Sequence, residues 1–206
     1  MGKKLFDNLS LEINWKEKVL LIGSSGAGKS SLVKILLRYI EVPYGMVSIK
    51  NIDINHYHLE VIRKNIMYIS SNEFLFTNTL YNNITLEREV SEEEFHRVCK
   101  ICQVDDLRDD RLGYQRLVEE DGFNFSNGER QRIVLARGLL KDADIYIFDE
   151  AFSQIDSFRR DKIINEIFLY LKDKTIIMIS HNIDSFNIFD KVLKLDGGRV
   201  CEIKKI

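Results

Sequence analysis

Residues 23 to 30 have the sequence Gly23-Ser24-Ser25-Gly26-Ala27-Gly28-Lys29-Ser30, which fits the pattern G-x-x-x-x-G-K-[ST] of phosphate-binding loops. Glycine lets the backbone curl so that several N–H groups point at phosphate oxygens. In such a loop, Lys29 reaches the β- and γ-phosphates of a nucleoside triphosphate, and the hydroxyl of Ser30 ligates Mg²⁺. The sequence therefore predicts that this loop, with Ser31 beside it, binds ATP and Mg²⁺, and that Lys29 assists hydrolysis.

The residues on either side of this loop provide the structural context that it needs. Val19 to Ile22 is a short apolar run, which predicts a buried strand ending at Gly23. Apolar residues at 32, 33, 35, 36 and 37 predict a buried helix from Ser31 to Tyr39. The positive end of that helix would face the same anion as the loop. A glycine-rich turn that matched the pattern by accident would not require this strand and helix.

A pair of acidic residues follows another apolar run. Ile145 to Phe148 leads directly into Asp149 and Glu150. Because parallel strands end at one edge of a sheet, these acids are expected beside the phosphate loop. Asp149 would hold Mg²⁺ through water, and Glu150 would orient or deprotonate the attacking water. The alternative is a strand that ends at an ordinary polar surface turn.

Other apolar runs predict further strands, at 46–49, 66–69, 175–179 and 192–195. Strands alternating with helices favour an α/β fold, with a mainly parallel sheet flanked by helices. Apolar and polar residues alternate from Leu5 to Ile13, which predicts an antiparallel N-terminal edge piece. Ser91 followed by three glutamates predicts the start of a helix.

Residues 78 to 140 are charged and mostly helical in pattern, so they predict a helical insertion on the α/β core. We therefore expect a single domain over residues 1–206. Its core would comprise about 1–77 and 141–206, and its helical subdomain about 78–140.

The composition excludes several classes of protein. Of the 206 residues, 45% are hydrophobic and 30% are charged, which argues against disorder. The net charge of −2 favours neither a nucleic-acid partner nor insertion at an anionic membrane surface. No apolar run approaches the roughly 20 residues of a membrane span, and the N-terminus lacks a signal-peptide core. These features predict a soluble, cytoplasmic chain.

Two of the three cysteines, Cys99 and Cys102, form a C-x-x-C pair. A redox pair or half of a zinc site is one interpretation. We favour two small apolar residues on one helix face, because positions i and i+3 are neighbours and no second pair follows.

Three further segments resemble motifs of the ATP-binding cassette (ABC) proteins. Residues 125–132, Phe-Ser-Asn-Gly-Glu-Arg-Gln-Arg, resemble the family's Leu-Ser-Gly-Gly-Gln signature. Residues 149–156, Asp-Glu-Ala-Phe-Ser-Gln-Ile-Asp, resemble its Walker B motif and D-loop, and Ile179-Ser180-His181 resembles its switch-histidine loop. With the phosphate loop, these motifs match the family in order and spacing, over nearly the whole chain.

Two other segments resemble exporter-type members of the family. Residues 74–80 and the pair Asn83-Ile84 look like the segment after the Q-loop in exporters. Leu112-Gly113-Tyr114 and residues 120–124 look like the stretch before the signature in peptide and bacteriocin exporters. The resemblance implies a motor domain that serves the transmembrane domain of an exporter, at the inner face of the cell membrane.

The resemblance also implies a mechanism. Two copies would form a head-to-tail homodimer with two ATP molecules between them. Ser126 and the backbone of Gly128 in one copy would cap the γ-phosphate that Lys29 holds in the other. Asp156 would touch the partner near its phosphate loop, and His181 would hydrogen-bond the γ-phosphate as a catalytic residue.

The sequence departs from the family pattern in three places. The adenine-stacking aromatic lies upstream of Leu5 in the family, and Phe6, Trp15 and Tyr39 are possible substitutes. Ser71 occupies the position of the Q-loop glutamine, where Asn72 could supply an amide toward Mg²⁺. Asn127 replaces the first signature glycine; asparagine is the non-glycine residue that best tolerates a positive φ.

Two other functions compete with the exporter motor. One is a non-transport cassette protein, but this chain has neither a coiled-coil insertion nor a second cassette. The other is a nucleotide-binding regulatory module with little hydrolysis, which the change at Ser71 favours and Glu150 opposes.

Overall fold

The computed structural model describes residue 6 and the ranges 9–72, 74–181 and 186–203. Within these ranges the chain forms α-helices and short strands. The helices are α1 (Lys29–Leu36), α2 (Leu59–Asn65), α3 (Leu80–Thr85), α4 (Glu92–Ile101), α5 (Asn127–Leu139) and α6 (Ser157–Tyr170). The strands are β1 (Lys18–Gly23), β2 (Ser48–Ile49), β3 (Ile52–Asp53), β4 (Ile66–Ser70), β5 (Asn78–Thr79), β6 (Leu117–Val118), β7 (Ile145–Asp149), β8 (Thr175–Ile179), β9 (Lys191–Asp196) and β10 (Arg199–Glu202).

Six of these strands form one sheet, in the order β10-β9-β1-β8-β7-β4. β1 pairs in parallel with both β8 and β9, and β7 pairs in parallel with β8. β10 pairs antiparallel with β9. The predicted α/β class, with a mainly parallel sheet, is therefore confirmed.

The central strands are buried along nearly their whole length. All five residues of β8 and the first four of β1 are buried, and Val19, Leu20 and Ile176 are 0% exposed. A parallel strand that is covered on both faces needs a continuous apolar sequence, and that explains why these strands are recognisable. The strands predicted at 66–69, 145–148, 175–179 and 192–195 all lie where expected.

The predicted strand at 46–49 is shorter than expected. Only Ser48 and Ile49 form a strand, β2, which pairs with β3 across a tight turn. Lys50 and Asn51 in that turn both have a positive φ, as a two-residue hairpin of type I′ requires. Met46 stays outside the strand and is 70% exposed.

The helix predicted from Ser31 to Tyr39 is displaced toward the N-terminus. α1 begins at Lys29 and ends at Leu36, because Arg38 adopts a left-handed conformation with φ 54°. The N–H of Tyr39 then returns to the carbonyl of Lys34 at 2.7 Å, which closes the helix end.

The predicted N-terminal antiparallel piece falls partly outside the described residues. Residues 9 to 13 are described and belong to no strand. The antiparallel strand that the structure places at a sheet edge is β10, near the C-terminus.

The chain divides into two compact units. The first, here called the sheet unit, comprises 1–67, 143–149 and 173–206. The second, the helical unit, comprises 68–142 and 150–172, so it includes the whole segment predicted to be a helical insertion. It begins before residue 78 and also includes α6, which the sequence had assigned to the core.

The helical unit packs around α5, which contacts α3 and α4. Ser91 caps α4 as predicted, since its hydroxyl accepts a hydrogen bond from Glu94 N–H at 3.2 Å. Cys99 and Cys102 are both 0% exposed, and burial raises the pKa of the Cys99 thiol to about 12. They behave as the small apolar residues that we expected. In the part of the chain that the structure describes, no helix is long and apolar enough to cross a membrane.

Candidate functional site

The phosphate loop joins the buried end of β1 to the start of α1. Inside the loop, the N–H of Ala27 donates to the carbonyl of Ser24 at 3.1 Å. Gly28 caps α1, and its carbonyl accepts from the N–H groups of Ser31 and Leu32, both at 3.0 Å. The N–H groups that precede this first helical bond have no acceptor within the helix, which is the arrangement that binds an anion.

The loop needs glycine at two positions for different reasons. Gly28 has φ 107°, a conformation that residues with a side chain rarely adopt. Gly23 lies opposite Leu195 of β9, and a Cβ at residue 23 would come within 2.4 Å of the Leu195 carbonyl oxygen. The glycines of the motif therefore fit both the turn and the packing of the sheet.

Lys29 is folded back over the loop and is only 8% exposed. Its Nζ donates to the carbonyls of Gly23 at 2.6 Å and Ser24 at 3.1 Å. Nζ also lies 3.3 Å from Nε2 of His181. Because an ammonium group can only donate, this contact is a hydrogen bond in the His181 tautomer that carries its proton on Nδ1 and leaves Nε2 to accept. Two residues that the sequence assigned to the γ-phosphate therefore contact each other.

The strand register places Asp149 at the same edge of the sheet. Leu21 of β1 pairs with Ile179 of β8, and Ile179 pairs with Asp149 of β7. Neighbouring strands lie about 4.8 Å apart, so the Cα atoms of Leu21 and Asp149 are separated by about 10 Å. His181 follows Ile179 by two residues. This carboxyl edge is where parallel sheets bind ligands.

The remaining predicted ligands in the sheet unit are accessible. Ser24, Ser25, Gly26 and Ser30 are exposed, and Ala27, Ser31 and Asp149 are half-buried. The Ser30 hydroxyl and the Asp149 carboxylate are hard oxygen donors, which suit Mg²⁺. Mg²⁺ is usually held by few protein groups together with substrate phosphates, so this donor set fits the metal.

In the helical unit, Ser126 begins α5 with a capping box. Its hydroxyl accepts from Glu129 N–H at 3.3 Å, and the Glu129 carboxylate accepts from Ser126 N–H at 2.8 Å. Asn127 is the first residue of α5 and has no positive φ, so the tolerance that we expected of asparagine is not needed there. Its side-chain oxygen instead accepts from Arg130.

Glu150 occupies an unusual backbone conformation where the chain leaves β7. Its φ is 53°, in the left-handed region that a glutamate seldom adopts, and its Oε1 is buried. Such a conformation persists only where surrounding structure enforces it, and it is common at functional sites. Further along, Asp156 caps α6 by accepting from Arg159 N–H at 3.0 Å, and its own side chain is 61% exposed.

Ser71 and Asn72 follow β4 as a turn. Ser71 is half-buried and Asn72 is exposed, and the Ser71 hydroxyl lies 3.5 Å from the Asn72 amide oxygen. Of the substitutes for an adenine-stacking aromatic, Trp15 is 47% exposed and lies under the ammonium of Lys50, 4.5 Å from the ring centroid. Tyr39 is 67% exposed.

One residue to which the sequence assigned no role also contacts these motifs. Gln131 lies within the signature-like segment, is 5% exposed, and hydrogen-bonds to Ser153 and Gln154. The position of Gln131 beside the signature-like motif was the one sequence signal for this role. Its two partners lie 22 and 23 residues further along the chain, so no local pattern predicts the hydrogen bonds.

A glycine-rich loop between a buried parallel strand and a helix, at the carboxyl edge of such a sheet, defines a nucleotide-binding protein with the P-loop NTPase fold. Comparison with known proteins agrees. The family model described as "ABC transporter" matches residues 6–153, and the chain belongs to that family.

Several similar proteins are named for transport, lipid flipping or export. The chain is 36% identical to the lactococcin-G-processing and transport ATP-binding protein of Lactococcus lactis, over 93% of this chain and 28% of the relative. It is 33% identical to the ATP-dependent lipid A-core flippase of Neisseria gonorrhoeae, over 98% of this chain and 33% of that protein. A solved bacterial Atm1-family ABC exporter with ATP bound superposes with a TM-score of 0.89 at 30% identity, over 97% of this chain and 36% of that chain.

These matches confirm the predicted exporter-type ATP-binding cassette. The chain spans only about a third or less of the length of these relatives. Activity, cargo and partners of the whole proteins are therefore considered below as proposals.

Proposed function

We propose that this chain binds Mg-ATP and hydrolyses it to ADP and phosphate as the motor domain of an exporter. The observation that carries the proposal is the contact between Lys29 and His181 at the phosphate loop. A lysine ammonium and an imidazole beside an anion-binding loop form a site for a terminal phosphate. A triphosphate would replace the neutral carbonyl acceptors of Lys29 with charged oxygens, which make stronger hydrogen bonds.

Each residue of the site has a distinct task in this proposal. The phosphate loop, residues 24 to 30, holds the phosphates together with Ser31, and Lys29 neutralises the charge that develops on the γ-phosphate. Ser30 and Asp149 would hold Mg²⁺, which withdraws charge from the phosphate oxygens when bound. Glu150 orients the attacking water and accepts its proton, while His181 donates to the γ-phosphate.

A second copy of the chain would complete the site. Ser126 and Asp156 are both exposed, so each is accessible to a partner. The signature turn of one copy would cap the γ-phosphate held by Lys29 of the other, with N–H groups at the start of α5 facing the anion. ATP would then join two copies head to tail, and hydrolysis would release them.

Export is supported by the relatives and by the surface of the helical unit. Aromatic side chains there are strongly exposed: Phe74 at 70%, Phe76 at 56% and Phe123 at 86%. Aromatic residues are enriched at protein–protein interfaces relative to the rest of the surface. We propose that they contact a transmembrane domain, which would hold the chain at the inner face of the membrane. Peptide or bacteriocin cargo is inferred from the relatives named for lactococcins.

Single-turnover hydrolysis tests the proposal. With protein in excess over Mg-ATP, wild type should convert the nucleotide, and Glu150→Gln should bind it while hydrolysing at least about 100-fold more slowly. Glu150→Gln should also form dimers with ATP, detected by light scattering. If both proteins bind ATP and neither hydrolyses it, the chain is a regulatory nucleotide-binding module. Failure to bind ATP at all would refute the proposal.

A further inference from the structure

The loop between β7 and α6 is hydrogen-bonded to α5 through the buried side chain of Gln131. The Oε1 atom of Gln131 accepts from Gln154 N–H at 2.9 Å, and its Nε2 donates to the Ser153 hydroxyl at 3.2 Å. Gln131 is 5% exposed, whereas Ser153 and Gln154 are exposed. One enclosed amide therefore fixes the two exposed residues in the middle of this loop.

α5 also approaches this loop one turn earlier. A Cβ at Gly128 would lie 2.8 Å from the carbonyl oxygen of Gln154, which is closer than a side chain can come. Residues 128 and 131 are three apart and share one face of the helix. Two contacts with α5 therefore fix Gln154: its carbonyl packs against Gly128, and its N–H donates a hydrogen bond to the side chain of Gln131.

A displacement of Ser153 and Gln154 would also displace Glu150. The N–H of Ser153 donates to the carbonyl of Glu150 at 3.1 Å, and the N–H of Ile155 donates to that of Phe152 at 3.2 Å. Phe152 and Ile155 are buried, at 5% and 6% exposure. The segment is a compact turn closed by its own hydrogen bonds, so a displaced Ser153 would displace Glu150 as well.

The far end of the loop is linked to α5 through a carboxylate. Asp106 accepts from Arg159 of α6 at 2.7 Å and lies 3.7 Å from Nη1 of Arg132 on α5. Arg132 is 5% exposed and is the neighbour of Gln131 in the chain. The loop is therefore attached to the same helix at its middle and near Asp156.

We propose that Gln131 is a positioning residue, which sets the location of the Glu150 carboxylate by holding Ser153 and Gln154 against α5. The signature turn at Ser126 and the carboxylate at residue 150 then move as one body. In the head-to-tail dimer, capture at Ser126 of the γ-phosphate bound to the other copy would then also fix the Glu150 carboxylate that acts on this copy's own ATP. This inference rests on the proposed function, because it assigns Gln131 to the hydrolysis that Glu150 performs.

Substitution of Gln131 by residues of similar length tests the inference on the full chain. Gln131→Met keeps the volume and removes both hydrogen bonds. It should lower kcat for Mg-ATP about 10-fold, since a misplaced catalytic group costs rate and not binding, with KM changed less than about twofold. Gln131→Glu keeps an acceptor for Gln154 N–H and for the Ser153 hydroxyl, so it should restore most of kcat.

Gln115→Met is the matched control, because it makes the same change at an exposed position of the helical unit. Ser153→Ala removes one of the two bonds and should lower kcat by about threefold, and it replaces Gln131→Met if that variant does not fold.

If wild type hydrolyses ATP and both Gln131→Met and Ser153→Ala keep its kcat, the inference is wrong and the proposed function stands. An equal loss of kcat in Gln131→Met and Gln131→Glu, or a rise in KM well beyond about twofold in Gln131→Met, also overturns it. If wild type binds ATP without hydrolysing it, the proposed function fails and the inference with it.

Discussion

Lys29 and His181 are 152 positions apart in the chain, yet Nζ of the first lies 3.3 Å from Nε2 of the second. The contact arises because β1 and β8 are parallel neighbours, so the loop after β1 and the residues after β8 leave the sheet at the same edge. Both side chains can then serve one phosphate group. Their proposed roles differ, however: Lys29, which also donates to two loop carbonyls, neutralises charge on the phosphate, whereas His181 donates a hydrogen bond to it.

This difference predicts separate effects of the two substitutions. Lys29→Ala should weaken binding of Mg-ATP by about 3 kcal/mol, or roughly a hundredfold in Kd, because a charge-assisted hydrogen bond is lost. His181→Ala should keep Kd within about fivefold and lower kcat, since an imidazole that donates to the γ-phosphate stabilises chiefly the transition state. Titration calorimetry and steady-state hydrolysis measure the two quantities.

Lys34→Ala is the control for this pair, because Lys34 is an exposed lysine on the same helix. It should leave both Kd and kcat unchanged. Equal Kd values for Lys29→Ala and wild type would show that the loop does not bind phosphate through Lys29.

The turn at Ser71 and Asn72 predicts a gain of activity. The family resemblance places a glutamine at residue 71, and the shorter serine cannot extend as far from the end of β4. Ser71→Gln should raise kcat by about threefold or more, because a correctly placed amide orients water and Mg²⁺. If Asn72 supplies the amide in wild type, Asn72→Ala should lower kcat, and the loss should disappear in the background of Ser71→Gln.

Steady-state hydrolysis over a range of Mg²⁺ concentrations distinguishes these possibilities. Altered Mg²⁺ dependence in Ser71→Gln would place residue 71 near the metal. Unchanged kcat and Mg²⁺ dependence in both single variants would exclude this turn from the catalytic site.

The parts of the structure that the sequence predicts are those set by local pattern. The phosphate loop and β8 can be recognised because glycine spacing and uninterrupted apolar residues are consequences of backbone geometry and burial. The predicted C-terminal end of α1 was wrong because the residue that adopts the left-handed conformation after the helix is Arg38. A glycine or asparagine at that position would have indicated the end of the helix. Gln131 was missed because its hydrogen bonds depend on how closely α5 approaches Gln154, which no local pattern encodes.

The ion pair between Asp106 and Arg159 predicts a pH dependence of stability. A hydrogen bond from the Arg159 guanidinium lowers the pKa of the Asp106 carboxyl below its ordinary value of about 3.9. A carboxyl whose pKa is lower in the folded state stabilises the fold at pH values above the unfolded pKa. That stabilisation is lost as the pH falls through the folded pKa. Because the Asp106 side chain is 53% exposed and screened by water, its contribution at pH 7 should be only about 0.5–1 kcal/mol.

The free energy of urea unfolding of wild type and Asp106→Asn should therefore differ by this amount at pH 7. The difference should decrease as the pH falls below about 4, the ordinary pKa of an aspartate, and it should also decrease in 1 M salt, where the Debye length is about 3 Å. Asp110→Asn, on the same exposed segment, is the matched control and should show a smaller difference at every pH. A difference that stayed constant from pH 7 to pH 2 would show that Asp106 acts through packing, and the ionic link between α5 and α6 would have to be abandoned.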